Sequence, residues 1–135
     1  MSYIDHLGIA VKSLAEAKKF YENLGLDVMP EETVEAEKVR VAMVPVGESR
    51  IELLEPTSPD STIARFLEKR GGGLHHVAMH VSDLSGTVER LKAAGTRLIS
   101  DDIKIGAGGH LYVFIHPSST GGVLLELVED APQGV

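Results

Sequence analysis

The chain has 135 residues, 43% of them hydrophobic, which suits one globular domain with a core of ordinary size. Its 20 acidic residues against 13 basic ones leave a formal charge of −7, spread along the chain, and this argues against a nucleic-acid surface or a polybasic membrane patch. With no cysteine, disulfides and thiolate metal sites are excluded; no apolar run approaches the roughly 18 to 20 residues of a membrane span, no signal-peptide pattern is seen, and a cytoplasmic protein is expected.

The first predicted element is an apolar strand, Ile4-Asp-His-Leu-Gly-Ile-Ala-Val11, with His6 at its third position. Ser13 then reads as a helix N-cap, with Glu16 three residues later completing a capping box. Leu14, Ala17, Tyr21 and Leu24 recur at helical spacing, and Gly25 supplies the left-handed stop. Three strand-like runs follow, Leu26 to Val34, Val39 to Val46 and Arg50 to Glu55, the last two joined by the turn Val46-Gly-Glu-Ser49. Next come Pro56-Thr-Ser-Pro-Asp60, a short helix from Ser61 to Lys69, and Gly71-Gly-Gly73.

The same grammar then repeats. Leu74-His-His-Val-Ala-Met-His-Val81 is a strand with His76 at its third position; Asp83 caps a helix carrying Leu84, Val88 and Leu91, and Gly95 ends it. Strands are expected over Arg97 to Ile103, Leu111 to His116 and Val123 to Glu129, with Ala131 to Val135 as an unstructured tail. A shift of 70 positions superposes His6 on His76, Val11 on Val81, Ser13 on Asp83, Leu14 on Leu84 and Gly25 on Gly95 without a gap. The expected fold is therefore α+β: two tandem βαβββ modules, about 3–56 and 73–129, joined by a linker helix at about 61–70 within a single domain of residues 1–135. Side by side, the modules form a curved eight-stranded mixed sheet with the helices outside and a concave cavity lined by both copies.

Side chains alternate faces along a strand, so Glu126 shares a face with Leu124 and Val128 while Leu125 and Leu127 take the other. A carboxylate held among aliphatics costs several kcal/mol, by order of magnitude, unless it is paired or bound to a metal. Glu52 is a weaker case, having Arg50 and Leu54 as same-face neighbours, and an outer-face glutamate is the competing reading. His6 and His76 lie 70 positions apart and Glu52 and Glu126 lie 74 apart. Two imidazoles and two carboxylates related in this way suit a divalent metal with open positions for water or substrate. The other histidines compete poorly. His80 is roughly 13 Å along the strand from His76, too far to share one ion, and His75 points to the opposite face. His110 and His116 flank a strand after Gly106-Ala-Gly-Gly109 and read as loop or surface residues, and that glycine cluster lacks the strand-to-helix context of a nucleotide loop.

Paired βαβββ modules resemble the vicinal oxygen chelate superfamily, the glyoxalase, bleomycin resistance and dioxygenase group. More closely, Ile4-Asp-His6, Ile51-Glu-Leu-Leu-Glu-Pro56, Asp60-Ser-Thr-Ile-Ala64, Gly73-Leu-His-His76, Gly106-Ala-Gly-Gly109, Phe114-Ile-His-Pro117 and Gly122-Val-Leu-Leu-Glu-Leu127 resemble the methylmalonyl-CoA epimerase family over nearly the whole chain, roughly residues 3 to 129. The resemblance implies that His6, Glu52, His76 and Glu126 hold one divalent ion per chain. Cobalt stands first, and nickel, manganese, zinc and magnesium are accepted by the same ligand set. It further implies an isomerase that interconverts the R and S forms of methylmalonyl-CoA by C2 proton abstraction through an enolate, with Glu126 as one catalytic acid/base. The implied partners are an acyl-CoA substrate and a second copy of the chain in a homodimer, with no nucleic acid and no membrane.

Some family members carry a glutamate on the strand before the first glutamate ligand, where this chain has Val41; Glu37 and Glu48 are near in sequence without occupying that place. Arg65, Lys69, Arg70 and Lys104 are placed where coenzyme A phosphates could be met, but read as solvated charge. Two alternatives remain open: a glyoxalase I-type lactoylglutathione lyase using the same four residues, and a metal-free small-molecule binding protein of the same fold. The segments at Asp60 to Ala64 and Gly106 to Gly109 favour the epimerase.

Overall fold

The computed structural model describes residues 2–131; the tail expected beyond Ala131 lies outside them. Among the described residues, three α-helices and eight strands form an α+β fold of mixed parallel and antiparallel pairing. The described chain divides into two compact units, one formed by His6–His75 and the other by residues 2–5 together with 76–131.

In the first unit, β1 (Tyr3–Ala10) pairs in parallel with β4 (Ser49–Pro56), which pairs antiparallel with β3 (Val39–Val46), which in turn carries the short β2 (Glu32–Val34). The helix α1 (Leu14–Asn23) supplies Leu14 to a core with Ala42, Val44 and Leu53, bordered by Ile9, Val11, Ala17, Tyr21 and Ile51. These strand residues share one parity along each strand, so the helix covers one face and leaves His6, Gly8, Glu52 and Leu54 on the other. Each large aliphatic side chain fully buried in such a core contributes about 1.5–3 kcal/mol.

The second unit repeats this plan. Parallel pairing joins β5 (Gly73–His80) to β8 (Leu125–Glu129), and β8 pairs antiparallel with β7 (Leu111–Ile115), which carries β6 (Lys104–Ile105). Helix α3 (Leu84–Ala93) adds Leu84 and Val88 to a core of Val81, Val113, Ile115 and Leu127. Ala78, Tyr112 and Val128 form a separate buried cluster with Phe114 packed against it.

Both helices begin as the sequence implies: Ser13 Oγ accepts from the Glu16 N–H at 3.2 Å, and Asp83 Oδ1 accepts from the Gly86 N–H at 3.1 Å. They end in matched Schellman motifs. Gly25 and Leu26 donate to the carbonyls of Glu22 and Tyr21, and Gly95 and Thr96 to those of Lys92 and Leu91, with both glycines at positive φ. Leu24, placed by helical spacing on the apolar face, is instead the exposed C-cap residue. The linker helix α2 (Thr62–Arg70) is capped by the buried Ser61, whose Oγ accepts from the Ala64 N–H at 3.0 Å.

Two strands are shorter than expected, and in place of the strand expected over Arg97 to Ile103 the regular strand β6 falls at Lys104–Ile105. The run from Leu26 becomes regular only at Glu32, because Pro30 has no N–H to give a ladder; Leu26 and Val28 serve the core from irregular chain, tied by a bond from Met29 N–H to the Met43 carbonyl. The run from Arg97 makes one isolated bridge, Leu98 to Ile115, then turns where the Asp102 N–H reaches Ser100 Oγ. Val123 is exposed and its carbonyl accepts from Thr120 Oγ1, so regular pairing on β8 starts at Leu125.

Candidate functional site

In the first unit the parallel register sets Gly8 beside Glu52, with His6 two residues earlier on the same face. His6 is 1% exposed and Glu52 6%, and His6 Nε2 lies 3.4 Å from Glu52 Oε1. The reading of Glu52 as an outer-face surface residue fails here, because its face of β4 is closed over.

The second unit reproduces the geometry at its own scale. Ala78 sits beside Glu126, with His76 two residues earlier on the same face. Both groups are 4% exposed, and His76 Nε2 lies 3.1 Å from Glu126 Oε1. In each copy a small residue, Gly8 or Ala78, is the strand neighbour of the glutamate, which leaves room for the diagonal imidazole to lean over it. Phe114 is paired with Glu126 across β7 and β8, and its ring meets His76 edge-on at 5.4 Å.

Each unit thus sets a buried imidazole against a buried carboxylate, His6 with Glu52 in one and His76 with Glu126 in the other. Neutral imidazole and carboxylate are the donor types a borderline divalent ion takes, and burying two carboxylates beside imidazoles is costly without a cation to share. The chemistry of the donor set therefore fits a divalent metal.

The remaining histidines separate by environment. His75 points away from His76 and packs edge-on against Phe66 at 4.9 Å. His80 stacks on Tyr3 at 4.6 Å and lies 3.4 Å from Asp130 Oδ2. His116 caps the turn after β7, its Nδ1 accepting from the Ser118 N–H at 3.0 Å. His110 lies in the loop before β7, as expected, but it is not a surface residue: its side chain is 19% exposed, and Nε2 lies 3.9 Å from Glu126 Oε2. Its position was visible in sequence only as the alternation His110, Tyr112, Phe114; the antiparallel register that brings this face to Glu126 was not.

Val41 is buried, Glu37 lies in the turn after β2, and Glu48 is exposed in the hairpin between β3 and β4. Among the cations, Arg65 donates to the Asp60 carbonyl at 2.9 Å and Arg70 lies 5.9 Å from the centre of the Phe66 ring, so both are engaged in holding α2. Lys38 pairs with Asp60, whose carboxylate also receives the Ser58 hydroxyl. That Lys38 bond, then the one from Ser58, holds the Asp60 carboxyl down at about 2.

Residues 5–114 match the Glyoxalase/Bleomycin resistance protein/Dioxygenase superfamily. The mitochondrial methylmalonyl-CoA epimerase of Bos taurus is 41% identical over 126 residues, 92% of this chain and 72% of that protein. The ethylmalonyl-CoA/methylmalonyl-CoA epimerase of Cereibacter sphaeroides is 39% identical over 127 residues, 92% of this chain and 95% of that protein. A variant of Streptomyces coelicolor methylmalonyl-CoA epimerase, solved in complex with 2-nitronate-propionyl-CoA, superposes with a TM-score of 0.92 at 35% identity, covering 98% of this chain and 97% of that one. The chain thus belongs to the Glyoxalase/Bleomycin resistance protein/Dioxygenase superfamily and, within it, to the methylmalonyl-CoA epimerase family of isomerases. Among the described residues, no helix is long and apolar enough to cross a membrane.

Proposed function

We propose that this chain interconverts the R and S forms of methylmalonyl-CoA with one divalent ion held by His6, Glu52, His76 and Glu126. The observation that carries the reading is the pair of matching buried contacts, His6 with Glu52 and His76 with Glu126, in a member of the epimerase family. When bound, the ion supplies Lewis-acid stabilisation of the oxygen that becomes negative as the C2 proton leaves.

The chain's own groups do the rest. Glu126 takes the C2 proton; the C2–H electron pair passes into the enolate double bond, the thioester oxygen takes the charge, and a proton returned to the opposite face of C2 completes inversion. Burial raises the proton affinity of a carboxylate, which suits Glu126 to the task. Phe114 and Val128 beside it limit competition from water. Cobalt is the ion to use for reconstitution, since its visible spectrum reports on the ligand set, and nickel, manganese, zinc and magnesium are the comparison series.

The test is incubation of one epimer of methylmalonyl-CoA with metal-loaded protein in deuterated water. The expected product is the other epimer with deuterium at C2, formed far faster than with metal alone. Absence of exchange there, with turnover of the methylglyoxal–glutathione adduct instead, would replace this reading with the lyase.

A further inference from the structure

We infer that Phe114 sets the largest substituent that C2 of the substrate can carry, and so selects a methyl group there; this rests on the function proposed above. Within the second unit Glu126 has two cross-strand neighbours on its own face, Ala78 of β5 and Phe114 of β7. Directly opposite residues stand about 4.5–5.5 Å apart at Cβ, so a carbon held against the Glu126 carboxylate lies within reach of both neighbours. On the Ala78 side the space is taken by His76, whose Nε2 is 3.1 Å from Glu126 Oε1. Phe114 therefore forms the wall on the other side of the carboxylate.

Other rings hold that wall in place. The Phe114 ring meets the His76 imidazole edge-on at 5.4 Å, and the Tyr112 ring edge-on at 5.8 Å with 78° between their planes. Ala78, Tyr112 and Val128, the cluster it packs against, are buried, whereas Phe114 itself is half-buried and keeps some surface beside the closed-over Glu126 and His76. An aromatic side chain has two torsions, and one braced by two further rings cannot fold away from an incoming group. The corresponding place beside Glu52 in the first unit is held by Met43, whose unbranched chain adapts to what it meets. A methyl group on C2 is accommodated against the Phe114 ring, and each further methylene has to displace the ring from its packing.

The experiment follows deuterium incorporation at C2 of methylmalonyl-CoA and of ethylmalonyl-CoA, using metal-loaded full-length protein as wild type, Phe114→Leu, Phe114→Ala and Phe114→Trp. The readout is kcat/KM for the ethyl substrate divided by that for the methyl substrate, a ratio that partial loss of metal or of folded protein leaves unchanged. One methylene in an apolar pocket is worth about 10–200-fold, so wild type should favour the methyl substrate by about ten-fold or more. Leucine and then alanine should raise the ratio stepwise by a similar factor, and tryptophan should lower it. A second readout needs no turnover: propionyl-CoA and butyryl-CoA carry a methyl and an ethyl group on C2, and in titration calorimetry wild type should bind the first more tightly, with the preference shrinking in Phe114→Ala. A ratio unmoved in both Phe114→Leu and Phe114→Ala, with the two substrates slowed alike, overturns the inference. Wild type that exchanges neither substrate fails the proposed function instead, and the two titrations then decide by themselves whether Phe114 reads the C2 substituent.

Discussion

The Glu55 carboxylate accepts a hydrogen bond from the backbone N–H of Leu14 at 2.8 Å, and Glu129 accepts one from Leu84, also at 2.8 Å. Each glutamate stands three residues after a candidate ligand, Glu52 or Glu126, and so faces the helix side of the same strand. The first turn of a helix has unpaired N–H groups and partial positive charge, which a carboxylate satisfies on both counts. The strand that carries a ligand is therefore tied directly to the start of the helix behind it. Glu129→Ala should lower unfolding free energy by about 1–2 kcal/mol, measured by urea denaturation. Glu55→Ala should cost at least as much, because Glu55 also pairs with Arg40 at 2.8 Å.

Removal of single ligands should separate the metal from the fold. His6→Ala, His76→Ala and Glu126→Ala are each expected to weaken binding of a divalent ion strongly while leaving secondary structure in place. A ligand that binds only the folded state at 100 times its Kd stabilises by about 2.7 kcal/mol, so adding chelator to metal-loaded wild type should lower its midpoint of thermal unfolding, and the same addition should leave the variants nearly unmoved. Elemental analysis of native and reconstituted protein measures occupancy in parallel. No metal in either preparation sinks the ligand assignment.

Glu126→Gln isolates the chemistry from the charge-neutral part of the side chain. The amide keeps the shape but cannot take a proton from C2, so deuterium incorporation should nearly vanish. Metal content must be measured in the same sample, and activity should be expressed per bound ion. Exchange at close to the wild-type rate per ion would remove Glu126 from the acid/base role.

The repeat made much of this fold and of the candidate site legible, because both depend on periodicity and spacing. Ser13, Asp83, Gly25 and Gly95 act through backbone chemistry that a sequence states directly, and they cap and end their helices as expected. The depth to which Glu52 is buried, and the arrival of His110 beside Glu126, depend on sheet register and on loop closure; neither has a local signature. Strand ends lack a local signature for the same reason. Leu26 and Val28 look like strand residues because they are apolar, yet they meet the core without a ladder.

The Lys38 and Asp60 pair makes a prediction about acid stability. Asp60 is held at about 2, below its ordinary 3.8, first by the bond from Lys38 and then by that from Ser58. A depressed carboxyl stabilises the fold at pH above the unfolded value, and that contribution fades as pH falls from near 4 toward 2. Asp60→Asn should therefore reduce stability near neutral pH, with the difference from wild type narrowing through that window. The contact is exposed to solvent and salt, so added sodium chloride should shrink the difference too. Urea titrations at several pH values give the measurement, and a constant difference between the two proteins down to pH 2 would remove Asp60 from the acid limb.

Gly25 and Gly106 are expected to resist alanine for unrelated reasons, and the two can be told apart. At Gly25, with φ +96, a Cβ would meet nothing within 4 Å, so the cost of Gly25→Ala comes from the left-handed backbone alone, about 1–2 kcal/mol. Asparagine tolerates that region better, and Gly25→Asn should recover part of the loss. Gly95, at φ +86 with equally open space, should behave the same way. At Gly106 the backbone is ordinary and the obstacle is the His110 and Tyr112 rings at 3.0 Å. Gly106→Asn should therefore be worse than Gly106→Ala, because a larger side chain displaces the rings further and gains nothing from left-handed tolerance. Denaturation midpoints of the four variants give opposite orders of alanine and asparagine at the two sites, and a common order would mean that one cause governs both.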